Sequence, residues 1–200
     1  NLSYRKPIYT GIRAAAQHLG CNAFFGCGIG ASSSPGDPIR SAWPFSAPDV
    51  DYVPINSSNT DGLIILTPLH SSERSQYIQN LRAEGFPILF LGSGERGPTV
   101  SVDNSGGVFT AIEHLVQHGH RKIAFLAGSM DDMQGDTGER LRAYQAALTY
   151  YGLEGDPKSV IFGRHVFDGG YAGIKKMIKE GNSFTAVLAS NDEMALGAIH

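Results

Sequence analysis

Residues 62–91 read GLIILTPLHSSERSQYIQNLRAEGFPILFL, and this stretch decides the fold. Its two continuous apolar runs, residues 62–66 and 87–91, have the length and composition of strands that are buried on both faces. A helix is expected between them, over residues 72–83. A strand, a helix and a second buried strand in succession predict a βαβ unit with two parallel strands.

The same alternation extends in both directions along the chain. Further strands are predicted at residues 21–25, 99–102, 122–126, 159–162 and 185–189. Further helices are predicted at residues 8–19, around 108–116, at 137–151, at 170–179 and after Asn191. Residues 32–60 are rich in Pro, Ser and Asp without a period, and this predicts a long irregular excursion. The sequence therefore predicts an α/β fold with parallel sheets flanked by helices.

Composition excludes several classes of protein. The 200 residues are 42% hydrophobic and 18% charged, so general disorder is excluded, and the net charge of −3 argues against a nucleic-acid-binding surface. Cys21 and Cys27 lack the spacing of a zinc site and fit a reduced, cytoplasmic setting. The sequence contains no run of about 18 apolar residues, so it predicts no membrane span. Because the chain begins at Asn1 and stops at His200 inside a predicted helix, we interpret it as an excerpt.

Two glycine-rich loops are candidate nucleotide sites. Residues 92–97, GSGERG, match GxGxxG, but the extended stretch 98–102 follows them. Residues 26–30 likewise run into Ser and Pro at 32–35. A dinucleotide site needs the loop to open a helix whose amides hold the pyrophosphate, so we expect no cofactor.

The candidate metal ligands are His114, His118 and His120, beside Glu113. An i,i+4 histidine pair can ligate a metal. Near a helix C-terminus, however, histidines also cap carbonyl groups and favour the helix dipole. We therefore interpret these histidines as structural and expect no metal.

Acidic residues precede the helix predicted at 137–151. Asp131, Asp132 and Asp136 can form a cation site or carboxylates for acid–base work, but Asp136 and Glu139 also fit a capping box. Arg140 then lies in the first helical turn, where the dipole disfavours a cation unless it faces an anion or a ligand hydroxyl. This makes Arg140 a candidate functional residue.

The βα loops hold the remaining candidates, since parallel sheets bind ligands outside the carboxyl ends of their strands. Asp103 and the pair Asn191-Asp192 lie in such loops. Each position suits a helix N-cap, but capping accounts for only one residue at each place. No nucleophile elbow, catalytic triad or Walker loop is present, so a catalytic function is disfavoured.

Several motifs in register resemble the LacI/GalR family of ligand-responsive regulators. They are Asp61-Gly62-Leu63-Ile64-Ile65, Val102-Asp103-Asn104, His114-Leu115, His118-Gly119-His120-Arg121-Lys122-Ile123-Ala124, Ala127-Gly128, Glu139-Arg140-Leu141-Arg142-Ala143-Tyr144 and Asn191-Asp192-Glu193-Met194-Ala195-Leu196-Gly197-Ala198. Residues 11–16 extend the match to the first helix. The resemblance implies a type I periplasmic-binding-protein fold of two Rossmann-like lobes, incomplete at both ends, with residues 1–119 in the first lobe and 120–200 in the second.

The resemblance also implies a ligand site between the lobes. The residues that match family contact positions are Tyr4, Thr67, Asp103, Arg140 and Asn191, with an aromatic stacker near His165 or Phe167. Aromatic faces and polar groups suit a sugar or polyol. The implied function is ligand sensing without catalysis, by a cytoplasmic homodimer that reaches DNA only through a module outside this chain.

One departure from the family pattern and two rival interpretations keep alternatives open. The family has a regular helix where residues 32–60 are expected to be irregular, a variant we associate with GGDEF, histidine kinase or AraC-type outputs. A periplasmic sugar-binding transport protein would have the same fold. An enzyme on a flavodoxin-like or Rossmann-like sheet is a third possibility, and the failed glycine loops speak against it.

Overall fold

The first element of the chain is a helix, α1, at Leu2–His18. The computed structural model describes residues 2–25, 57–66 and 72–200, with side chains at 6–25, 57–66 and 75–200. Residues 1–50 and 51–200 form two units, and each is described by itself. The expected excursion at residues 32–60 lies outside the described residues except at 57–60, where the chain forms a turn.

The strand predicted at residues 21–25 is wrong. This stretch forms no regular element, and Phe24 is 92% exposed. In the described part of residues 1–50 its main contact is an edge-to-face packing of Phe25 on Tyr9, with ring centroids 5.1 Å apart. A short apolar run becomes a strand only where a neighbouring strand accepts its hydrogen bonds, and none of the described residues does so.

The described residues of the second unit alternate strands and helices. In chain order these are β1 (Leu63–Leu66), α2 (Ser72–Ala83), β2 (Ile88–Leu91), β3 (Thr99–Val100), α3 (Asn104–Gln117), β4 (Ile123–Ala127), α4 (Asp136–Tyr150), β5 (Val160–Phe162), α5 (Phe167–Lys179), β6 (Ala186–Ala189) and α6 (Asp192–Ile199). Short 3-10 turns lie at Met130–Asp132 and Pro157–Ser159.

The strands form two parallel sheets of three strands each. The first has the order β1-β2-β3 and the second the order β5-β4-β6. In the first sheet Ile64 pairs with Leu89, and in the second Phe125 pairs with both Val160 and Leu188. All pairings are parallel, so the α/β class with helix-flanked parallel sheets is confirmed. The boundary between lobes at residues 119 and 120 remains a prediction.

The central strand β4 explains the core of the second sheet, because successive side chains of a strand point to opposite faces. Phe125 packs with Tyr144 of α4, their rings stacked at 4.8 Å, and the Tyr144 hydroxyl donates to the Ile123 carbonyl at 2.7 Å. On the other face Leu126 packs with Met177 of α5 and with Met194 of α6. All three side chains are fully buried, so β4 is covered on both faces as its continuous apolar run predicts.

The first sheet has a smaller core in the described residues. Phe90, fully buried, packs with Ile88, Leu81 and Phe86. The side chain of Ile64 is 47% exposed. Burial on both faces, predicted for residues 62–66, is therefore not seen at β1 in the described part of the chain. None of the described helices is both long and apolar enough to cross a membrane.

Candidate functional site

Polar side chains meet at the carboxyl ends of strands from both sheets. Ser93 follows β2, Asn104 follows β3, Arg140 lies on α4 after β4, His165 follows β5 and Ser190 follows β6. Loops at this edge of parallel sheets are where α/β folds hold ligands. Hydrogen bonds join Arg140 to Asn104 and Ser190, and Asp136 joins Ser93 to Asn104. We call Ser93, Asn104, Arg140, His165 and Ser190 the cleft cluster.

Arg140 is the centre of the cleft cluster. Its Nε donates to Oδ1 of Asn104 at 2.7 Å, and its Nη1 donates to the carbonyl of Ser190. These contacts use two of the five N–H donors of a guanidinium. Within the described residues the other three have no hydrogen-bond partner, so the half-buried side chain can donate to a ligand.

Asn104 and Ser93 join the first sheet to helix α4. The Nδ2 of Asn104 donates to Oδ1 of Asp136 at 3.0 Å and to Oε2 of Glu139 at 2.8 Å. The hydroxyl of Ser93 also donates to Asp136. Since Asn104 is only 5% exposed, these bonds form largely away from water and hold the two sheets' loops together.

The capping box predicted for Asp136 and Glu139 is wrong. Gly135 is the N-cap of α4, and Asp136 is the first helical residue. The free N–H of Thr137 donates instead to Oδ2 of Asp132 at 3.0 Å. Because Asp132 caps from the preceding turn, the carboxylates of Asp136 and Glu139 are left to bind Asn104.

Thr137 fixes the ring of His165. Its Oγ1 lies 3.1 Å from Nε2 of His165 and accepts from the N–H of Ser129 at 3.3 Å. When Thr137 donates to Nε2, the neutral His165 ring carries its proton on Nδ1, which can then act as a donor. A Cβ at Gly128 would lie 2.1 Å from Nε2 of His165. Only glycine at this position lets the ring lie against the backbone.

Burial and the positive charge of Arg140 lower the pKa of His165, while Asp132 and Asp136 act in the opposite direction. Burial has the largest effect, since it disfavours the charged imidazolium. In the folded protein His165 thus stays neutral at a pH at which the same side chain begins to bind a proton in the unfolded chain. A neutral ring can accept a hydrogen bond from Thr137 at Nε2, which agrees with the lowered pKa of His165.

We expect the free energy of unfolding to fall as the pH drops below about 6.5, because only the unfolded chain readily takes up the proton at His165. His165→Asn should reduce this dependence, and asparagine tolerates the positive φ of 60° there. Urea midpoints near about pH 7.5 and 5.5 measure the effect. His118→Gln, at an exposed histidine, is the control. An equal pH dependence in His165→Asn and the unsubstituted protein would contradict the assignment.

The structure places the predicted contact residues differently. Asn191 caps α6, since its Oδ1 accepts from the Met194 N–H at 3.1 Å, and its Nδ2 donates to the His165 carbonyl at 3.1 Å. Asp103 is the exposed N-cap of α3 and accepts from the Gly106 N–H at 2.8 Å. Arg140, His165 and Asn191 are thus brought together, whereas in the described residues no side-chain hydrogen bond joins Asp103 to them.

The other three predicted contact residues are Phe167, Tyr4 and Thr67, and among the described residues no hydrogen bond joins Phe167 to this group. Phe167 is 37% exposed at the start of α5, with its ring 5.8 Å from that of His200. Tyr4 lies in α1, in the first unit. Thr67 lies outside the described residues. Ligand contact by all seven predicted residues remains a prediction.

Sequence analysis missed four members of the site: Ser93, Asn104, Thr137 and Ser190. Asn104 stands next to Asp103 and Ser190 next to Asn191, so a polar neighbour of each of these two predicted residues belongs to the site. In the sequence Ser93 belongs to the glycine-rich loop at 92–97, and Thr137 begins a predicted helix; neither pattern indicates a role in the site. Their roles depend on partners more than 25 residues away.

The alternative sites have structural explanations. Nδ1 of His118 lies 2.8 Å from the His114 carbonyl, as a helix C-terminal histidine does. Across residues 2–25, 57–66 and 72–200 no group of three or more His, Cys, Asp or Glu side chains is arranged to hold a metal ion. Residues 92–97 lead into strand β3 and not into a helix, as predicted. The loop at 26–30 lies outside the described residues.

Comparison with known proteins identifies the class. Residues 53–200 match the family model of periplasmic binding proteins and the sugar binding domain of the LacI family. The chain belongs to this family. It is 33% identical to the HTH-type transcriptional regulator CelR of Thermobifida fusca over 146 residues, which are 70% of this chain and 42% of that protein.

Solved structures agree with this assignment. A LacI-family sugar-binding regulator from Escherichia coli, complexed with phosphate, has a TM-score of 0.61 at 32% identity, covering 71% of this chain and 51% of that one. A CelR–cellobiose complex has a TM-score of 0.61 at 30% identity, covering 72% and 44%. The predicted family and fold are therefore confirmed. The chain spans about half the length of these relatives.

Proposed function

We propose that this chain is the ligand-sensing part of a LacI/GalR-type transcription regulator and that it binds a sugar or polyol at the cleft cluster. The relatives are regulators with sugar-binding domains. Binding would bias an equilibrium between two arrangements of the protein, which requires the ligand to interact differently with each arrangement.

The observation that carries this proposal is the guanidinium of Arg140. It lies where the loops of both sheets meet, and three of its N–H donors have no partner in the described part of the chain. A planar fork of donors suits vicinal hydroxyls and oxyanions, with which it forms paired hydrogen bonds. Nδ1–H of His165 and the Asn191 amide lie on neighbouring loops, so they can add further polar contacts.

Ser190 lies beside this guanidinium, because its carbonyl accepts from Arg140. Its Oγ is buried and has no hydrogen-bond partner among the described residues. A buried hydroxyl without a partner is uncommon in native proteins and costs free energy. A rearrangement of this loop on ligand binding would expose the hydroxyl to a partner and relieve that cost.

A non-enzymatic function is part of the proposal. The contact between Thr137 and His165 has the geometry of a nucleophile beside its base. Thr137 is however fully buried, so its hydroxyl cannot reach a substrate carbonyl or phosphorus. The pair instead orients His165, which favours binding without turnover.

Assembly and location are proposed from family membership. The protein acts as a cytoplasmic homodimer, and DNA is bound through a segment outside these 200 residues. The HTH-type designation of CelR favours this output over the other signalling modules considered above. The net charge of −3 agrees with a DNA-binding surface elsewhere.

A thermal-shift screen tests the proposal. Glucose, galactose, cellobiose, ribitol, nucleosides, amino acids and nicotinamide nucleotides serve as the panel. A compound at about a hundred times its Kd stabilises by roughly 2.7 kcal/mol, which corresponds to several degrees in Tm for a protein of this size. A shift with sugars or polyols, absent with the nucleotides, is expected. A shift with the nicotinamide nucleotides alone would contradict the proposal and favour an enzyme.

A further inference from the structure

Asn104 lies between a cation and two carboxylates. Its Oδ1 accepts from Nε of Arg140 at 2.7 Å, and its Nδ2 donates to Asp136 at 3.0 Å and to Glu139 at 2.8 Å. The side chain is 5% exposed. Both protons of Nδ2 are therefore used, and one neutral amide connects three charged groups.

This arrangement prevents an ion pair that the sequence would otherwise favour. Glu139 and Arg140 are adjacent, Asp136 lies four residues before Arg140 on the same helix, and i,i+4 pairs of opposite charge normally attract. In the described residues Arg140 nevertheless forms no ion pair, and the bridge seen there joins Lys176 to Glu180. An arginine that paired with carboxylates would use its N–H donors for them, and these donors would not be open to a ligand.

We propose that Asn104 is a positioning residue, which keeps the guanidinium of Arg140 apart from Asp136 and Glu139 so that its remaining donors stay open to a ligand. This inference rests on the proposed function. Only an amide can act in this way, because it accepts from the cation while donating to the anions. Aspartate at 104 would pair with Arg140 itself and repel both carboxylates.

Nuclear magnetic resonance of the Nε–H group of Arg140, in arginine-labelled protein without added ligand, provides the first test. In the presence of Asn104, the change Glu139→Gln should move this resonance little. In the Asn104→Ala background the same change should move it several-fold more, because the guanidinium then contacts Glu139. Equal displacements in the two backgrounds would overturn the inference, since such a cycle isolates the coupling between positions 104 and 139.

Affinity provides the second test, with each sugar of the panel that raises Tm as the probe. Asn104→Ala should weaken binding about tenfold or more. Adding Asp136→Asn and Glu139→Gln should restore affinity to within about threefold, because no carboxylate is then left to capture Arg140. A merely structural asparagine would show no such rescue, and that result would overturn the inference.

Controls separate this inference from folding and from the proposed function. Ser105→Ala changes the next, exposed residue of α3 and should leave both readouts unchanged. Asn104→Ser replaces Asn104→Ala if the alanine variant does not fold, as judged by its melting curve. If no sugar of the panel binds, the proposed function fails while the resonance experiment still decides the role of Asn104.

Discussion

Arg140→Ala is expected to weaken ligand binding by about 100-fold or more while the protein still folds. Removing one partner of a buried, charge-assisted hydrogen-bond set costs roughly 2–5 kcal/mol of binding free energy. The guanidinium is the group of the cleft cluster with the most donors left open among the described residues. Its removal also leaves Oδ1 of Asn104 and the Ser190 carbonyl without their donor, so a Tm lower by a few degrees is expected as well.

Titration calorimetry with the sugar that gives the largest thermal shift measures the loss. Arg142→Ala is the matched control, because Arg142 lies on the same helix and its Nη1 donates at 3.3 Å only to the Met133 carbonyl. Arg140→Lys keeps the charge but loses the planar fork, so its affinity should fall between those of the other two proteins. Affinity in Arg140→Ala equal to that in Arg142→Ala would refute the assignment of Arg140.

The strands of the second unit could be predicted because their signal is local. The run at residues 123–127 is apolar at every position, and the structure buries it on both faces of the second sheet. Helix α2 was placed at its observed bounds, Ser72–Ala83. The run at residues 21–25 is apolar apart from Asn22, yet it is exposed and forms no strand, since no described partner strand lies beside it. An apolar run therefore becomes a buried strand only where a neighbouring strand pairs with it.

The details of the site could not be predicted because its hydrogen bonds are non-local. Asp136 and Glu139 have the spacing of a capping box, but Asp132 supplies the carboxylate that binds the helix N-terminus. This leaves Asp136 for Ser93, 43 residues away. Likewise Asp103 and Asn104 are adjacent and both polar, and nothing in the sequence says which side chain faces inward. Tertiary structure decides that Asp103 caps in solvent and Asn104 binds Arg140.

The second large expected effect concerns stability. Helices α5 and α6 approach through glycine: a Cβ at Gly197 would lie 2.0 Å from the Phe167 carbonyl oxygen, and one at Gly170 would lie 2.1 Å from that of Met194. Both obstacles are backbone atoms, which cannot move aside as a flexible side chain can. Gly197→Ala should therefore lower the free energy of unfolding by about 1–3 kcal/mol, since added atoms in a packed interior force backbone shifts.

Gly107→Ala is the matched control for Gly197→Ala. Gly107 also lies inside a helix, but a Cβ there would meet nothing within 4 Å. Alanine in an open helical position stabilises by up to about 1 kcal/mol, and both variants share that gain. Gly197→Ala should then melt roughly 2–12 °C below Gly107→Ala, at about 2–4 °C per kcal/mol. Equal melting temperatures would show that α5 and α6 can separate without cost.

The same substitution links packing to binding. Helix α6 begins directly after Asn191, whose Nδ2 donates to the His165 carbonyl at 3.1 Å. Moving α6 away from α5 therefore displaces Asn191 relative to His165 and to the neighbouring Ser190 carbonyl that holds Arg140. Gly197→Ala should weaken sugar binding in calorimetry although it adds no atom to the cleft cluster, whereas Gly107→Ala should not. Unchanged affinity in a destabilised Gly197→Ala protein would mean that the site is held by its own hydrogen bonds and not by the packing of these two helices.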